Sequence, residues 1–134
     1  METLKENRFF KIYFDKEQEL IIDEWLPETR HMTIDDFKAN LMLWLGLVKQ
    51  HLPKKAMIDV RKIQFMIEPE LQEWTSQHVL MPAFQASLQK IATVLPSSLF
   101  EQVSIQQALE EPKATTQRRF FDNEAEAKQW LFSE

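Results

Sequence analysis

Few residues in this 134-residue chain could do chemistry, and their spacing narrows the field further. The three histidines, His31, His51 and His78, fall in separate stretches, and no pair has the i, i+4 spacing that holds a metal on one helix face. Ser76 and His78 are two positions apart. On a helix they point in different directions and cannot serve each other as nucleophile and base. The adjacent acids Asp35 and Asp36 follow Thr33 at what reads as a helix start, where the helix dipole accounts for them. Asp59 stands in the short apolar run Met57-Ile58-Asp59-Val60. An acid at the C-terminal end of a buried strand sits where open α/β sheets bind ligands. Arg61 and Lys62 follow at once. This basic pair is either a contact for an anion (a headgroup, a phosphate, a partner's carboxylate) or a solvated rim.

Two compositional absences remove most remaining chemistry. The chain has no cysteine, which excludes disulfides, thiolate metal sites and cysteine nucleophiles. It has one glycine, Gly46, whereas phosphate loops, dinucleotide fingerprints and nucleophile elbows each need several. No cofactor, no metal site and no enzymatic activity are therefore expected. A net charge of −5 speaks against nucleic acid, whose backbone calls for a basic footprint. With 44% hydrophobic and 28% charged residues the composition is that of a soluble globular domain. The longest uninterrupted apolar run, Leu41 to Val48, is far short of the roughly 20 residues that span a bilayer, and no secretory signal opens the chain. A soluble, cytoplasmic, single domain over 1–134 is the expectation, with 1–7 as a flexible N-terminus.

The elements that must position these residues follow from periodicity. Period-two alternation over Arg8–Asp15 and Glu19–Leu26, joined by Asp15-Lys16-Glu17-Gln18, predicts an antiparallel hairpin. Thr33 then caps a helix carrying Ile34, Phe37, Leu41, Trp44, Leu45, Val48 and Leu52 on one face, closed by Pro53. Lys55–Val60 and Ile91–Leu95 read as buried strands. Between them Pro69 opens a helix with Leu71, Trp74, His78 and Met81 at helical spacing, which Pro82 must kink or restart before Phe84 and Leu88. Ser97 or Ser98 starts a helix through Phe100, Val103, Ile105 and Leu109. Thr116–Phe121 reads as a last strand, and Asn123 with Glu126 opens a last helix as a capping box. The order β-β-α-β-α-β-α-β-α gives an α/β class with a mixed sheet of about five strands and about four helices.

Three stretches carry a family resemblance: Met57-Ile58-Asp59-Val60; Trp74 with Met81-Pro82, Lys90-Ile91-Ala92-Thr93-Val94 and Pro96; and Arg119-Phe120-Phe121-Asp122 leading to Glu126-Ala127 and Trp130-Leu131. Together they resemble the STAS superfamily, the sulfate-transporter and anti-sigma-factor-antagonist domain, and within it the SpoIIAA-like branch of small standalone bacterial proteins. The resemblance implies a functional loop after the central strand, marked here by Asp59, Phe65 and Glu68, with Asp59 hydrogen-bonding that loop. In antagonist members the loop reads Phe-Met-Asp-Ser-Ser-Gly and its first serine is phosphorylated. Here Phe65-Met66-Ile67-Glu68-Pro69-Glu70 places Glu68 in the serine slot, so that switch has no hydroxyl to act on. Glu68 is then either a weak permanent stand-in for phosphate or simply an acid at a helix N-terminus. The resemblance implies a non-catalytic regulatory or protein-interaction module. The branch also resembles CRAL-TRIO lipid carriers in architecture, which implies the alternative of a small apolar or lipid ligand held between sheet and helices.

The first helix sharpens the choice of partner. Leu43 and Leu47 widen its apolar face to about half the circumference, beyond the roughly 100° that one sheet contact needs. Leu43, Trp44 and Leu47 are candidates for deeper burial, for a homodimer or other protein interface, or for an apolar pocket wall. Trp74 and His78, one turn apart, are candidates for the same pocket or for the edge of the core.

Overall fold

A computed structural model describes residues 1–101 and 117–133. A six-stranded sheet runs in sequence order: β1 (Glu2–Glu6), β2 (Phe10–Asp15), β3 (Leu20–Trp25), β4 (Lys55–Asp59), β5 (Lys90–Val94) and β6 (Arg118–Phe121). β1, β2 and β3 pair antiparallel, and β3 through β6 pair parallel. The expected hairpin is β2–β3, with Phe10 opposite Trp25 and Phe14 opposite Ile21. Its turn needs one left-handed residue, and in the absence of glycine Glu19 takes that role at φ 53°.

The extra strand corrects the expectation of a flexible 1–7 and raises the strand count from about five to six. β1 has no apolar alternation of its own and holds by pairing with β2, where its register shifts between Thr3 and Lys5. An edge strand that is charged and bulged in this way is protected against further pairing.

Helix α1 (Ile34–His51) starts at Thr33, the cap that the sequence predicts, and the structure makes it a capping box: Asp36 N donates to Thr33 Oγ1, and Thr33 N to Asp36 Oδ2, both at 3.1 Å. It ends at Leu52, left-handed at φ 52°, before Pro53. Ile34 and Leu52, expected on the apolar face, are instead exposed at the two ends. Gly46 has an ordinary helical backbone, and a Cβ built there meets nothing within 4 Å. A mid-helix glycine costs about 1 kcal/mol relative to alanine, and no contact among the described residues calls for it.

The second helical unit is α2 (Pro69–Thr75), a π turn (Ser76–Leu80) and α3 (Met81–Ala86). The wide turn precedes Pro82, whose ring and missing N–H do not fit a regular α ladder. It also rotates the buried face. Val79, Leu80 and Ala83 pack inward, while His78 and Met81, expected on the apolar stripe, are exposed. A helical turn covers 97–101; the rest of the helix expected through Leu109 lies outside the described residues, as does Thr116. Helix α4 (Glu124–Leu131) follows β6, with Glu126 N donating to Asn123 Oδ1 at 2.8 Å. Its C-terminus is closed by Lys90 Nζ, which donates to the Trp130 and Ser133 carbonyls at 2.9 and 2.7 Å.

Two cores result. One face of the sheet packs under α1, the π turn and α3 through Phe10, Ile12, Ile21, Trp25, Phe37, Trp44, Val48, Val79 and Ile91. The other packs under α4 through Leu20, Ile22, Met57, Ala92, Val94 and Leu131. The class is α/β: among the described residues a mixed sheet carries α1 to α4 and the helical turn at 97–101.

Candidate functional site

Asp59 and Glu24 are register partners at the C-terminal ends of β4 and β3, on the α4 side of the sheet. There a cleft of about 300 Å³ has Tyr13, Ile22 and Met57 as its floor and Asp59, Arg61 and Glu124 at its rim. The Asp59 carboxylate is nearly buried and committed to its own loop. Oδ1 accepts from Arg61 N and Arg61 Nε, each at 3.0 Å, and Oδ2 accepts from Arg61 Nη2 at 2.8 Å. This two-pronged geometry is the strong form of an ion pair. Hydrogen bonding to Asp59 raises the Arg61 pKa above its ordinary value, against a smaller opposing effect of burial. Lys62 Nζ lies 3.6 Å from Glu24 Oε2. Of the two possible anion contacts, Arg61 is thus bonded to Asp59 and Lys62 faces Glu24 with its side chain in solvent.

The loop from Val60 to Glu68 is tied down along its length. Val60 N donates to Val94 O at 2.9 Å, and Gln64 N donates to Thr29 Oγ1 at 2.8 Å. Thr29 is fully buried in a 3₁₀ turn (Pro27–His31), and its own hydroxyl donates to Leu26 O at 2.7 Å. Phe65 stacks on Phe37 of α1 with ring centroids 5.1 Å apart and 18° between planes. Gln72 Nε2 donates to Ile67 O at 2.8 Å. Between these pins Met66 is 80% exposed. Glu68 is the N-cap residue of α2, and its side chain makes no capping bond.

The other candidates separate. Trp44 is buried in the core; Leu47 is half-buried; Leu43 is 44% exposed. Trp74 is half-buried, with Lys38 Nζ 5.0 Å from its ring centroid and the exposed His78 stacked on it at 5.3 Å. These five residues do not converge on one pocket. His31 ends the 3₁₀ turn, and His51 ends α1 against the Phe14 ring. Among the described residues no group of three or more His, Cys, Asp or Glu could hold a metal, and no helix is long and apolar enough to cross a membrane.

One titratable residue escaped the sequence reading. Asp23, on the α1 side of β3, is 2% exposed. Trp25 Nε1 donates to its Oδ2 at 2.7 Å. Burial raises its pKa from 3.8 to about 7; the Trp25 bond opposes this, the Asp59 charge reinforces it, and its own backbone and the Trp44 indole lower it. Among the described residues Asp23 Oδ1, Trp44 Nε1 and Thr93 Oγ1 nevertheless lack hydrogen-bond partners. The signal was present: Asp23 shares its alternation with Ile21 and Trp25, and a lone acid on an apolar strand face must be buried or break the strand.

Comparison with known proteins finds no matching family model, no matching curated protein and no matching solved structure.

Proposed function

We propose that this chain is a STAS-like, non-catalytic module that works by binding another protein through the loop at the C-terminal end of β4, without a phosphoserine switch. The observation that carries the reading is the exposed Met66, held between the Gln64–Thr29 and Gln72–Ile67 hydrogen bonds and beside the Phe65–Phe37 stack. A large apolar side chain kept in water on a pinned loop fits a preorganised contact, which loses little entropy on docking. The α/β class with a mixed sheet is compatible with that family. Asp59, the acid best placed for chemistry, is engaged by Arg61, which favours binding over turnover. The space between sheet and helices holds Phe10, Trp25, Phe37 and Trp44 in mutual contact or full burial, which weighs against the lipid-carrier alternative.

A photo-reactive residue at position 66, introduced in cells of the source, is expected to capture one discrete protein. The same residue at Glu17, in the turn at the opposite end of the sheet, is expected to capture none. Native mass spectrometry of freshly purified protein is expected to give the bare 16.0 kDa chain mass or a multiple of it. A retained lipid, with no adduct at position 66, would establish the carrier reading instead.

A further inference from the structure

We propose that the outward face of α1 is a homodimer interface in which two copies of the helix pack antiparallel, Leu43 of each seated over Gly46 of the other. This surface is separate from the β4 loop, and the inference does not depend on the function proposed above.

The starting point is the chain's single glycine. Gly46 is exposed in the middle of α1, is not left-handed, and, apart from its neighbours and the helix's own backbone, no atom of the described residues lies within 4 Å of where a Cβ would stand. Among the described residues nothing packs into the space its side chain would take. It lies in a shallow depression of about 490 Å³ on the helix surface, walled by Ala39, Met42, Leu43 and Leu47 and edged by Lys5 and Gln50. Met42 is 47% and Leu43 44% exposed beside it. Ala39, Leu43, Gly46 and Gln50 follow one another at spacings of four, three and four, which is the seam that lets a second helix lie alongside.

The occupant that fits is another copy. Around a two-fold axis at the level between Trp44 and Leu45, Leu43 falls opposite Gly46, Met42 opposite Leu47, and Ala39 opposite Gln50. Each copy offers one projection and one hollow, and a two-fold contact uses both twice. Charge selects the direction. The start of α1 carries the exposed Asp35, and its C-terminal end carries the exposed Lys49 and, just beyond, Lys54. An antiparallel pair sets each acidic end against the partner's basic end and opposes the helix dipoles; a parallel pair would set like against like. The β1 edge of the sheet is no competitor, because it is bulged and presents Glu2 and Glu6.

Sedimentation of the wild type across the micromolar range is expected to show a reversible dimer of the 16.0 kDa chain. Gly46→Ala is the diagnostic variant. It is expected to raise the dissociation constant at least about tenfold, by filling the hollow, while raising the melting temperature of the dilute monomer. Leu43→Glu is expected to give a folded monomer by circular dichroism, since that side chain is not part of the core. Because the chain has no cysteine, Leu43→Cys supplies a lone thiol, and a short bis-maleimide is expected to link two copies through it but not through Glu17→Cys. A wild type that stays monomeric at high micromolar concentration overturns the proposal. So does a dimer whose affinity is unchanged by both Gly46→Ala and Leu43→Glu.

Discussion

The indole of Trp25 donates to the carboxylate of Asp23, Nε1 to Oδ2 at 2.7 Å, two residues along the same strand and both almost sealed from water. The pair is local in sequence, yet its environment is made by distant segments. Phe10 lies 5.0 Å from the Trp25 ring, Phe37 5.7 Å from it, and Trp44 is close enough to influence the acid. A carboxyl here is easier to keep neutral than charged, because an anion in this layer would trade bulk water for a single donated hydrogen bond.

Asp23 therefore makes stability depend on pH in a direction opposite to that of an ordinary paired carboxylate. Its folded pKa, about 7, lies above the unfolded 3.8, so between those values the native state holds a proton that the unfolded state has released. The Asp23 contribution is full below pH 3.8 and is lost as pH rises to about 7, by about 4 kcal/mol at most at 1.36 kcal/mol per unit. Asp23→Asn cannot titrate. Urea unfolding of both proteins is expected to show the variant gaining on the wild type by a few kcal/mol from pH 4 to pH 8, whatever its stability at either end. Parallel curves would mean that Asp23 titrates as an exposed acid.

The Asp59–Arg61 pair is expected to be asymmetric. Arg61→Ala leaves a carboxylate whose side chain is 10% exposed with only the residue 61 backbone N–H as donor, whereas Asp59→Ala frees a guanidinium that is already 42% exposed and can be rehydrated. Discounting for solvent at the Arg61 end, losing the charged hydrogen bonds is expected to cost about 1–2 kcal/mol in Arg61→Ala. Asp59→Ala is expected to cost less in global stability, but to speed amide exchange at Arg61. Equal destabilisation by the two variants would contradict the burial asymmetry.

Two turns use the wrong residue for their backbone. Glu19 and Leu52 have φ of 53° and 52°, a region that costs a residue with a Cβ roughly 1–2 kcal/mol. Leu52 is 53% exposed, so its side chain offers little packing in return. Leu52→Gly and Glu19→Gly are each expected to stabilise by about 1 kcal/mol, read as a higher urea midpoint at unchanged slope. The exposed Glu19–Lys54 contact at 3.6 Å is too weak to reverse the sign. A lower midpoint in both variants would show that these residues are held for something other than the turn.

These positions also show where the sequence is readable and where it is not. Thr33, Asp36 and the apolar spacing after them define α1 because helix starts and faces are local facts, and the same holds for the β2–β3 alternation. β1 leaves no comparable trace: Glu2-Thr3-Leu4-Lys5-Glu6 is strand only because β2 offers it an edge. The π turn is equally silent. Spacing carried through Ser76–Leu80 at 3.6 residues per turn puts His78 and Met81 inside, and one wider turn puts Val79 and Leu80 there. At the site, Asp59 was legible as a strand-end acid, but its commitment to Arg61 is a matter of rotamer and distance. The Thr29–Gln64 bond joins segments 35 residues apart and could not be seen before folding.

That bond gives the test closest to function. Thr29 Oγ1 accepts Gln64 N–H and donates to Leu26 O, so Thr29→Val keeps the shape and removes both side-chain bonds; Gln64 N–H loses its partner, while Leu26 O still accepts the residue-29 N–H at 3.1 Å. The expected cost is about 1–3 kcal/mol, concentrated where the loop meets the 3₁₀ turn rather than spread over the sheet. Hydrogen exchange is expected to accelerate at Gln64 and its neighbours while Met57 and Ala92, in the centre of the sheet, keep their protection. Because Thr29 itself is fully buried, no partner can touch it. If the loop binds as a preorganised surface, Thr29→Val therefore weakens capture at position 66 without altering a single exposed side chain. Undiminished capture with a loosened loop would show that the contact at Met66 needs no preorganisation; faster exchange across β4 and β5 as well would place the bond in the core's own stability.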